Sequence, residues 1–437
     1  MEFNVMNILL DCGIILLATK ALGMLTRKIG LPQVVGMILA GLLIGPAFFV
    51  HSSAFHGLIH PSAAEMNVLQ SFSQIGVVFI LFSSGLETDF REMKRSGIAA
   101  TAIALAGVFV PIALGTGAAL LFMGGFSAVK DHDLLLNALF VGCILSATSV
   151  GITVETLREL GKLKTKIGTT VLSAAIIDDV IGIVVLSIIT GLGGEGSIGK
   201  TCLHVLGFFV FTIGAGLLLR KAFGALVRIY PHKRRTSIFA LSMCLLFAYC
   251  AEEFFGIAAI TGAYMAGLML SGLGDSHFVD RKVIVSGYML FTPMFFAYIG
   301  ISADFSNFVP SSLLFVLAFV AVGILGKILG CSAVARCFRY SRRESLTAGC
   351  GMIARGEVAL AVYATGSGMI AYKNGVLVGI DPLVATIFLI ICTSILCPIL
   401  LKLVFRGQTT VDVQTEARTA TISSEALENV HDHLTTS

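Results

Sequence analysis

Apolar runs of about twenty residues follow one another almost end to end along this 437-residue chain, separated by short charged or Gly/Pro-rich turns. A helix of that length crosses a bilayer core about 30 Å thick. The runs predict spans at residues 5–26, 31–48, 68–88, 97–123, 134–157, 166–190, 201–226, 236–252, 256–273, 280–301, 311–335, 346–369 and 377–404. Composition argues against a soluble fold. Hydrophobic residues make up 56% of the chain, charged residues only 13%, and mean hydropathy is +0.93. A water-soluble domain has too little interior to hide that much apolar surface. The expected fold is an all-α polytopic membrane protein with thirteen transmembrane helices.

The basic residues orient these spans. If the spans alternate, one side holds Arg27 and Lys28; Arg91, Lys94 and Arg95; and Arg158, Lys162, Lys164 and Lys166. The same side then gathers Arg220, Lys221, Arg228, Lys233, Arg234 and Arg235; Arg281 and Lys282; Arg336, Arg339, Arg342 and Arg343; and Lys402, Arg406 and Arg418. Across the membrane lie Lys130, Lys200 and Lys373. The positive-inside rule makes the populated side cytoplasmic. The expectation is a multi-pass protein of the cell inner (plasma) membrane, N-terminus outside and C-terminus cytoplasmic. The formal net charge of +4 then belongs to one membrane face and needs no nucleic-acid partner.

The N-terminus lacks a basic n-region and a small-residue cleavage site, so it reads as a retained helix. Residues 1–406 read as the membrane domain. Residues 407–437, rich in Thr, Ser, His and acidic side chains without apolar periodicity, read as a disordered cytoplasmic tail. The ten cysteines show no CxxC or Cys/His spacing and read as small hydrophobes, so no structural metal or cofactor is expected.

The chain carries a hidden repeat. Gly36–Met–Ile–Leu–Ala–Gly–Leu in the second span matches Gly262–Ala–Tyr–Met–Ala–Gly–Leu in the ninth, and Gly85–Leu–Glu–Thr–Asp–Phe90 echoes Gly300–Ile–Ser–Ala–Asp–Phe305. Both matches are seven spans apart. An odd shift makes the copies antiparallel through the membrane, the inverted-topology repeat of many secondary transporters, whose substrate site lies at the midplane.

Ionisable groups in hydrocarbon cost about 2.5–3.5 kcal/mol each on insertion scales and mark function. Asp178 and Asp179 sit at the centre of the sixth span, Lys327 near the middle of the eleventh, and Arg355 and Glu357 interrupt the twelfth. Asp11 and Lys20, near the ends of the first, read as snorkelling anchors. Adjacent helical residues point about 100° apart, so Asp178 and Asp179 have different roles. One carboxylate pairs with Lys327 and the other faces a water-filled cavity, where a cation and protons compete for it. Two spans also look broken, at Leu145–Ser–Ala–Thr–Ser–Val–Gly–Ile–Thr153 and at Gly349–Cys–Gly–Met–Ile–Ala–Arg–Gly–Glu–Val358. Unwound backbone at membrane depth requires shelter by protein or a cavity. Arg355, Glu357 and nearby hydroxyls compensate the exposed helix ends, and Thr148 and Ser149 are candidate oxygen ligands for the cation.

Together, Ser146–Ala–Thr–Ser–Val–Gly151, Asp178–Asp179, Lys327 and Ala354–Arg–Gly–Glu357 resemble the monovalent cation:proton antiporter superfamily, specifically the bacterial sodium/proton antiporter family related to glutathione-gated potassium efflux systems. The resemblance implies a homodimer of inverted repeats. Dimer-type helices would occupy about 5–88 and 236–301, a linker helix about 201–226, and core transport helices about 97–190 and 311–404, with two unwound helices crossing in the core. It implies that Asp179 binds the cation and proton, that Asp178 pairs with Lys327, and that the Asp–Asp pair marks electrogenic Na⁺/H⁺ exchange. The partners implied are Na⁺ (or Li⁺ or K⁺), H⁺ and the lipid bilayer. A potassium/proton antiporter, a non-transporting cation channel or sensor, and a sodium-coupled symporter are the other readings. No nucleophile–base constellation or phosphate loop suggests an enzyme.

Overall fold

In the computed structural model, the structure describes residues 5–45, 58–59, 61–88, 90–192, 198–229, 234–273, 275–303, 312–373, 376–377 and 379–406. Nearly all of them are helical. In chain order the helices are α1 (Val5–Lys28), α2 (Gln33–Ile44), α3 (Ala63–Glu87), α4 (Phe90–Phe122), α5 (His132–Ser146), α6 (Val150–Glu159), α7 (Lys166–Leu192) and α8 (Ile198–Ile229). There follow α9 (Arg234–Phe255), α10 (Ala259–Leu270), α11 (Ser276–Ser286), α12 (Thr292–Ile301), α13 (Leu313–Cys337), α14 (Arg342–Gly351), α15 (Glu357–Gly366) and α16 (Leu383–Phe405).

Ten stretches among the described residues are long and apolar enough to cross a membrane. The others of the thirteen expected spans depart from a continuous helix for local reasons. Helices α2 and α10 are apolar but only 12 residues each. The span expected at 346–369 is two ten-residue helices, α14 and α15, separated by residues 352–356. The last helix begins at Leu383 rather than 377, behind Pro382, which cannot donate into a preceding turn. Ahead of it, strands β1 (Tyr372–Lys373) and β2 (Val376–Leu377) pair antiparallel. Asn137 of α5 anchors the connection to α16, its amide exchanging two hydrogen bonds with the Ile380 backbone at 3.1 and 2.8 Å. A single π turn, Gly287–Phe291, joins α11 to α12 within what reads as one span. Asp11, expected to snorkel, is instead only 6% exposed inside the bundle, while Lys20 is exposed. The expected tail, together with Asp89, Asp304 and Phe305 of the repeat motif, lies outside the described residues.

Buried side chains group by helix. One large cluster joins α4–α7 to α13–α16 and takes in side chains of α2, α3, α10 and α12, a second joins α3 to α8–α11, and a third joins α1, α2, α3 and α12. Helix α8 shows the opposite face of the same principle. Leu203, Leu206, Val210, Ile213, Leu217 and Leu218 are exposed along it, a face suited to lipid or to another apolar surface. It is tied to α10 by Arg220, whose guanidinium donates to the Met269 and Ser271 carbonyls at 2.9 and 3.0 Å and so occupies the C-terminal end of that helix.

The two short apolar helices sit where the matched motifs meet crosswise. Gly41 of α2 lies against α12 at Gly300, and Gly267 of α10 lies against α3 at Gly85. A Cβ added at Gly85 or at Gly267 would come to 3.0 Å from the other's Cα and closer still to a backbone carbonyl. Small residues let helix backbones touch, and within a membrane such packing replaces the missing hydrophobic drive. Replacing Gly267 by Val should therefore force α3 and α10 apart. The expected result is a lower melting temperature of the detergent-purified protein than Gly224→Val gives, since a Cβ at Gly224 has open space around it; equal melting temperatures would contradict the close crossing.

Candidate functional site: a buried ion pair beside two broken helices

Helix α5 stops at Ser146 and α6 starts at Val150, leaving residues 147–149 extended; Ala147 has ψ 142° and Ser149 ψ 103°. Ser and Thr side chains compete with the helix for backbone partners. Here Ser146 Oγ donates to the Cys143 carbonyl at 2.7 Å. The second break, residues 352–356, passes the first closely enough that the Ser149 N–H donates to the Ala354 carbonyl at 2.8 Å. Side chains satisfy the C-terminal ends of α5 and α14 at the crossing, as a low-dielectric interior requires, whereas Ser149 and Gly356 at the starts of α6 and α15 make no side-chain cap.

Arg355 does most of that. It is fully buried, and its guanidinium donates to the Leu145 carbonyl at the end of α5, to Ile353 O at 2.8 Å and to Met352 O at 3.1 Å. A cation at helix C-termini opposes the negative ends of their dipoles. Helix α16 holds the break from the other side. Thr393 Oγ1 accepts from the Arg355 N–H at 3.1 Å, and Ser394 Oγ donates to the Arg355 carbonyl at 2.8 Å. Thr153 Oγ1 donates to the Gly351 carbonyl at 2.6 Å, linking α6 to the end of α14. Glu357 opens α15, and its side chain lies outside the described residues.

Beside the crossing, Lys327 of α13 is fully buried and donates to Asp178 Oδ1 of α7 at 2.8 Å and to Thr148 Oγ1 at 2.7 Å. Asp178 is 2% exposed and Asp179 6%, about 100° further round α7. The structure thus brings Asp178, Lys327 and Thr148 into direct contact. Ser149 Oγ is buried and has no hydrogen-bond partner among the described residues. Helix α4 makes room for the pair at Gly107, where an added Cβ would lie 3.1 Å from Asp178 Oδ1 and 3.2 Å from Lys327 Nζ.

Sequence reasoning missed Gly107, Thr393 and Ser394, since a glycine or hydroxyl inside an apolar helix carries no signal of what crosses it. It also missed a second polar cluster. Glu155 of α6 is fully buried, and Arg158 one turn on donates to it at 2.9 Å. Arg158 also donates to Ser83 Oγ of α3 at 3.2 Å and stands 3.6 Å from Glu87 at the end of α3; Lys164 is 3.4 Å from the same carboxylate. Ser83 in turn donates to Asp280 of α11. Glu159 accepts from the Gln33 N–H at 2.8 Å, capping α2 from outside. The signal available was Glu155 itself, a carboxylate within the predicted fifth span, three residues before an arginine.

A profile of the family described as "Sodium/hydrogen exchanger, transmembrane" matches residues 14–407. The chain belongs to that family. It is a multi-pass membrane protein of a transporter family. This exchanger-family chain is 35% identical over 399 residues to the Na(+)/H(+)-K(+) antiporter GerN of Bacillus cereus, covering 90% of this chain and 95% of that one. It is 32% identical over 398 residues to a Na(+)/H(+) antiporter of Enterococcus hirae, covering 89% and 96%. Its fold is similar to that of the sodium proton antiporter MjNhaP1 of Methanocaldococcus jannaschii, seen by electron microscopy, with a TM-score of 0.70 at 19% identity over 95% of this chain and 99% of that one.

Two measurements test the site's electrostatics. Lys327→Ala strands a buried carboxylate, which costs about 3–5 kcal/mol when one partner of a buried pair is removed. The expected result is a marked fall in melting temperature, partly recovered by adding Asp178→Asn; a fall that the second change deepens would contradict the pairing. Arg158→Ala likewise leaves Glu155 buried without its guanidinium. Adding Glu155→Gln should raise the melting temperature above that of Arg158→Ala alone, and an additive loss would separate the two residues energetically.

Proposed function

We propose that this chain exchanges Na⁺ for H⁺ by alternating access, with Asp179 the carboxylate for which the two ions compete. The observation that carries the reading is the Lys327–Asp178 pair, almost wholly excluded from solvent, set beside two broken helices in a chain of the sodium/hydrogen exchanger family. A carboxylate in low dielectric binds either a proton or a cation, since it is costly to leave it charged and bare. Occupation by one therefore expels the other. Ser149 supplies a hydroxyl ligand. Thr148, already accepting from Lys327, acts on the pair more than on the cation.

In this reading Asp178 and Lys327 are the adjoining proton-exchanging pair, so that more protons than sodium ions move per cycle and transport is electrogenic. Helices at about 97–190 and 311–404 form the moving core, those at about 5–88 and 236–301 hold a homodimer, and the stretch at about 201–226 links them. The protein sits in the inner (plasma) membrane with its N-terminus outside and its C-terminus cytoplasmic. An inward proton gradient then drives Na⁺ out. When the core moves against α3, the Arg158–Glu87 and Lys164–Glu87 contacts must open. Movement of the core with Asp179 charged and empty carries the full desolvation cost of a bare carboxylate, which keeps the exchange coupled.

The name of the Bacillus cereus relative, which includes K⁺, supports K⁺/H⁺ exchange as the second reading. A channel or sensor and a sodium-coupled symporter are the remaining ones. In sealed proteoliposomes with an internal pH dye, added Na⁺ should drive saturable proton movement against an imposed gradient, and K⁺ is compared in the same assay. Asp179→Asn should abolish it. Wild-type exchange in that variant would remove Asp179 from the site, and a flux that fails to saturate would point to a channel.

A further inference from the structure

Among the described residues, a cavity of about 200 Å³ opens on the side to which the proposed topology assigns most of the chain's Lys and Arg. Its walls come from the turn before α7, the first turns of α7 and α14, and the last residue of α16. Three cations line it: Lys162, Lys166 and Arg343. The carboxylate in the lining, Glu344, is held in a capping box, accepting from the Ser341 N–H at 2.8 Å. The lining thus carries three cations and one carboxylate, around a space that would otherwise hold several waters.

The lysines are placed by their surroundings. Lys166 Nζ lies 4.7 Å from the centre of the Tyr340 ring, and Lys162 Nζ 5.9 Å from that of Phe405. The hydroxyls in the lining are committed elsewhere. Thr165 Oγ1 donates to the Lys162 carbonyl at 2.6 Å, and Thr347 Oγ1 donates to the Arg343 carbonyl at 3.0 Å. Recognition therefore falls to the ammonium and guanidinium groups, which favour a multiply acceptor-bearing anion over a neutral ligand. The first turns of α7 and α14 add the positive ends of two helix dipoles.

We infer that this cavity binds a phosphate group, carried by the headgroup of an anionic phospholipid. The phosphate chemistry follows from the cations. The lipid source follows from the apolar wall and its surroundings: Ile167 and Phe405 line the cavity, and Leu346 and Leu403, one and two residues from lining positions, are 44% and 54% exposed, a surface for acyl chains. A basic pocket between helix ends at the cytoplasmic face suits such a headgroup.

The test uses the full chain purified in delipidating detergent, its melting temperature followed as phosphatidylglycerol, phosphatidylcholine or inorganic phosphate is added. Phosphatidylglycerol should raise it and phosphatidylcholine should not. In Lys162→Gln/Lys166→Gln/Arg343→Gln, the phosphatidylglycerol midpoint should move up on the order of a hundredfold, at about fivefold per cation. Arg281→Gln/Lys282→Gln, which removes exposed cations of α11, should leave it in place. Arg343→Gln alone, at an exposed position, serves if the triple variant fails to fold, with about a fivefold shift expected. No effect of phosphatidylglycerol on the wild type, or an equal shift in the α11 control, would overturn the site. Inorganic phosphate matching phosphatidylglycerol, with the same dependence on the three cations, would overturn the lipid source and leave a phosphate-ion site.

Discussion

A backbone that leaves the helix inside a membrane must find partners for its carbonyls and amides within the protein, and Arg355 is how this chain meets that demand. Its guanidinium reaches the end of α5 and the end of α14 together, while α16 receives its own amide and carbonyl. The ion pair beside the crossing is arranged around that junction. The extended residues 147–149 place Thr148 against Lys327, and Lys327 reaches Asp178 on α7. Without a cation at the crossing, two helix ends of the same polarity would face one another in a medium that screens little.

Much of this was legible in the sequence because membranes punish exceptions. Each polar or poorly helical residue inside an apolar run stands out, so Ser146–Thr153, Asp178, Asp179, Lys327 and Arg355 could be singled out one by one. The same contrast located the spans and the small-residue motifs. What the residues alone left open was which aspartate Lys327 meets, since that depends on how α7 is rotated against α13, and rotation is set by contacts between distant helices. Gly107 shows the limit plainly: in sequence it is one small residue among many, and its role as a recess for an ion pair appears only once α4, α7 and α13 are packed.

The cluster of Glu87, Glu155, Arg158 and Asp280 was hidden for a different reason. Its members come from α3, α6 and α11, and three of them lie near span ends, where charges are ordinary. The π turn at Gly287–Phe291 and the pairing of β1 with β2 are likewise local departures that hydropathy does not register, because neither changes the apolar character of the stretch around it.

Helix α8 has a consequence of its own. Its 32 residues extend about 48 Å at 1.5 Å per residue, well beyond a hydrocarbon layer of about 30 Å. The helix must lean or thrust its ends into the headgroups, and the angle it takes depends on how thick the surrounding bilayer is. Arg220 ties that angle to α10, and α10 is locked to α3 through Gly85 and Gly267. Bilayer thickness therefore acts as a mechanical input to the bundle, delivered by a helix whose outward face is apolar.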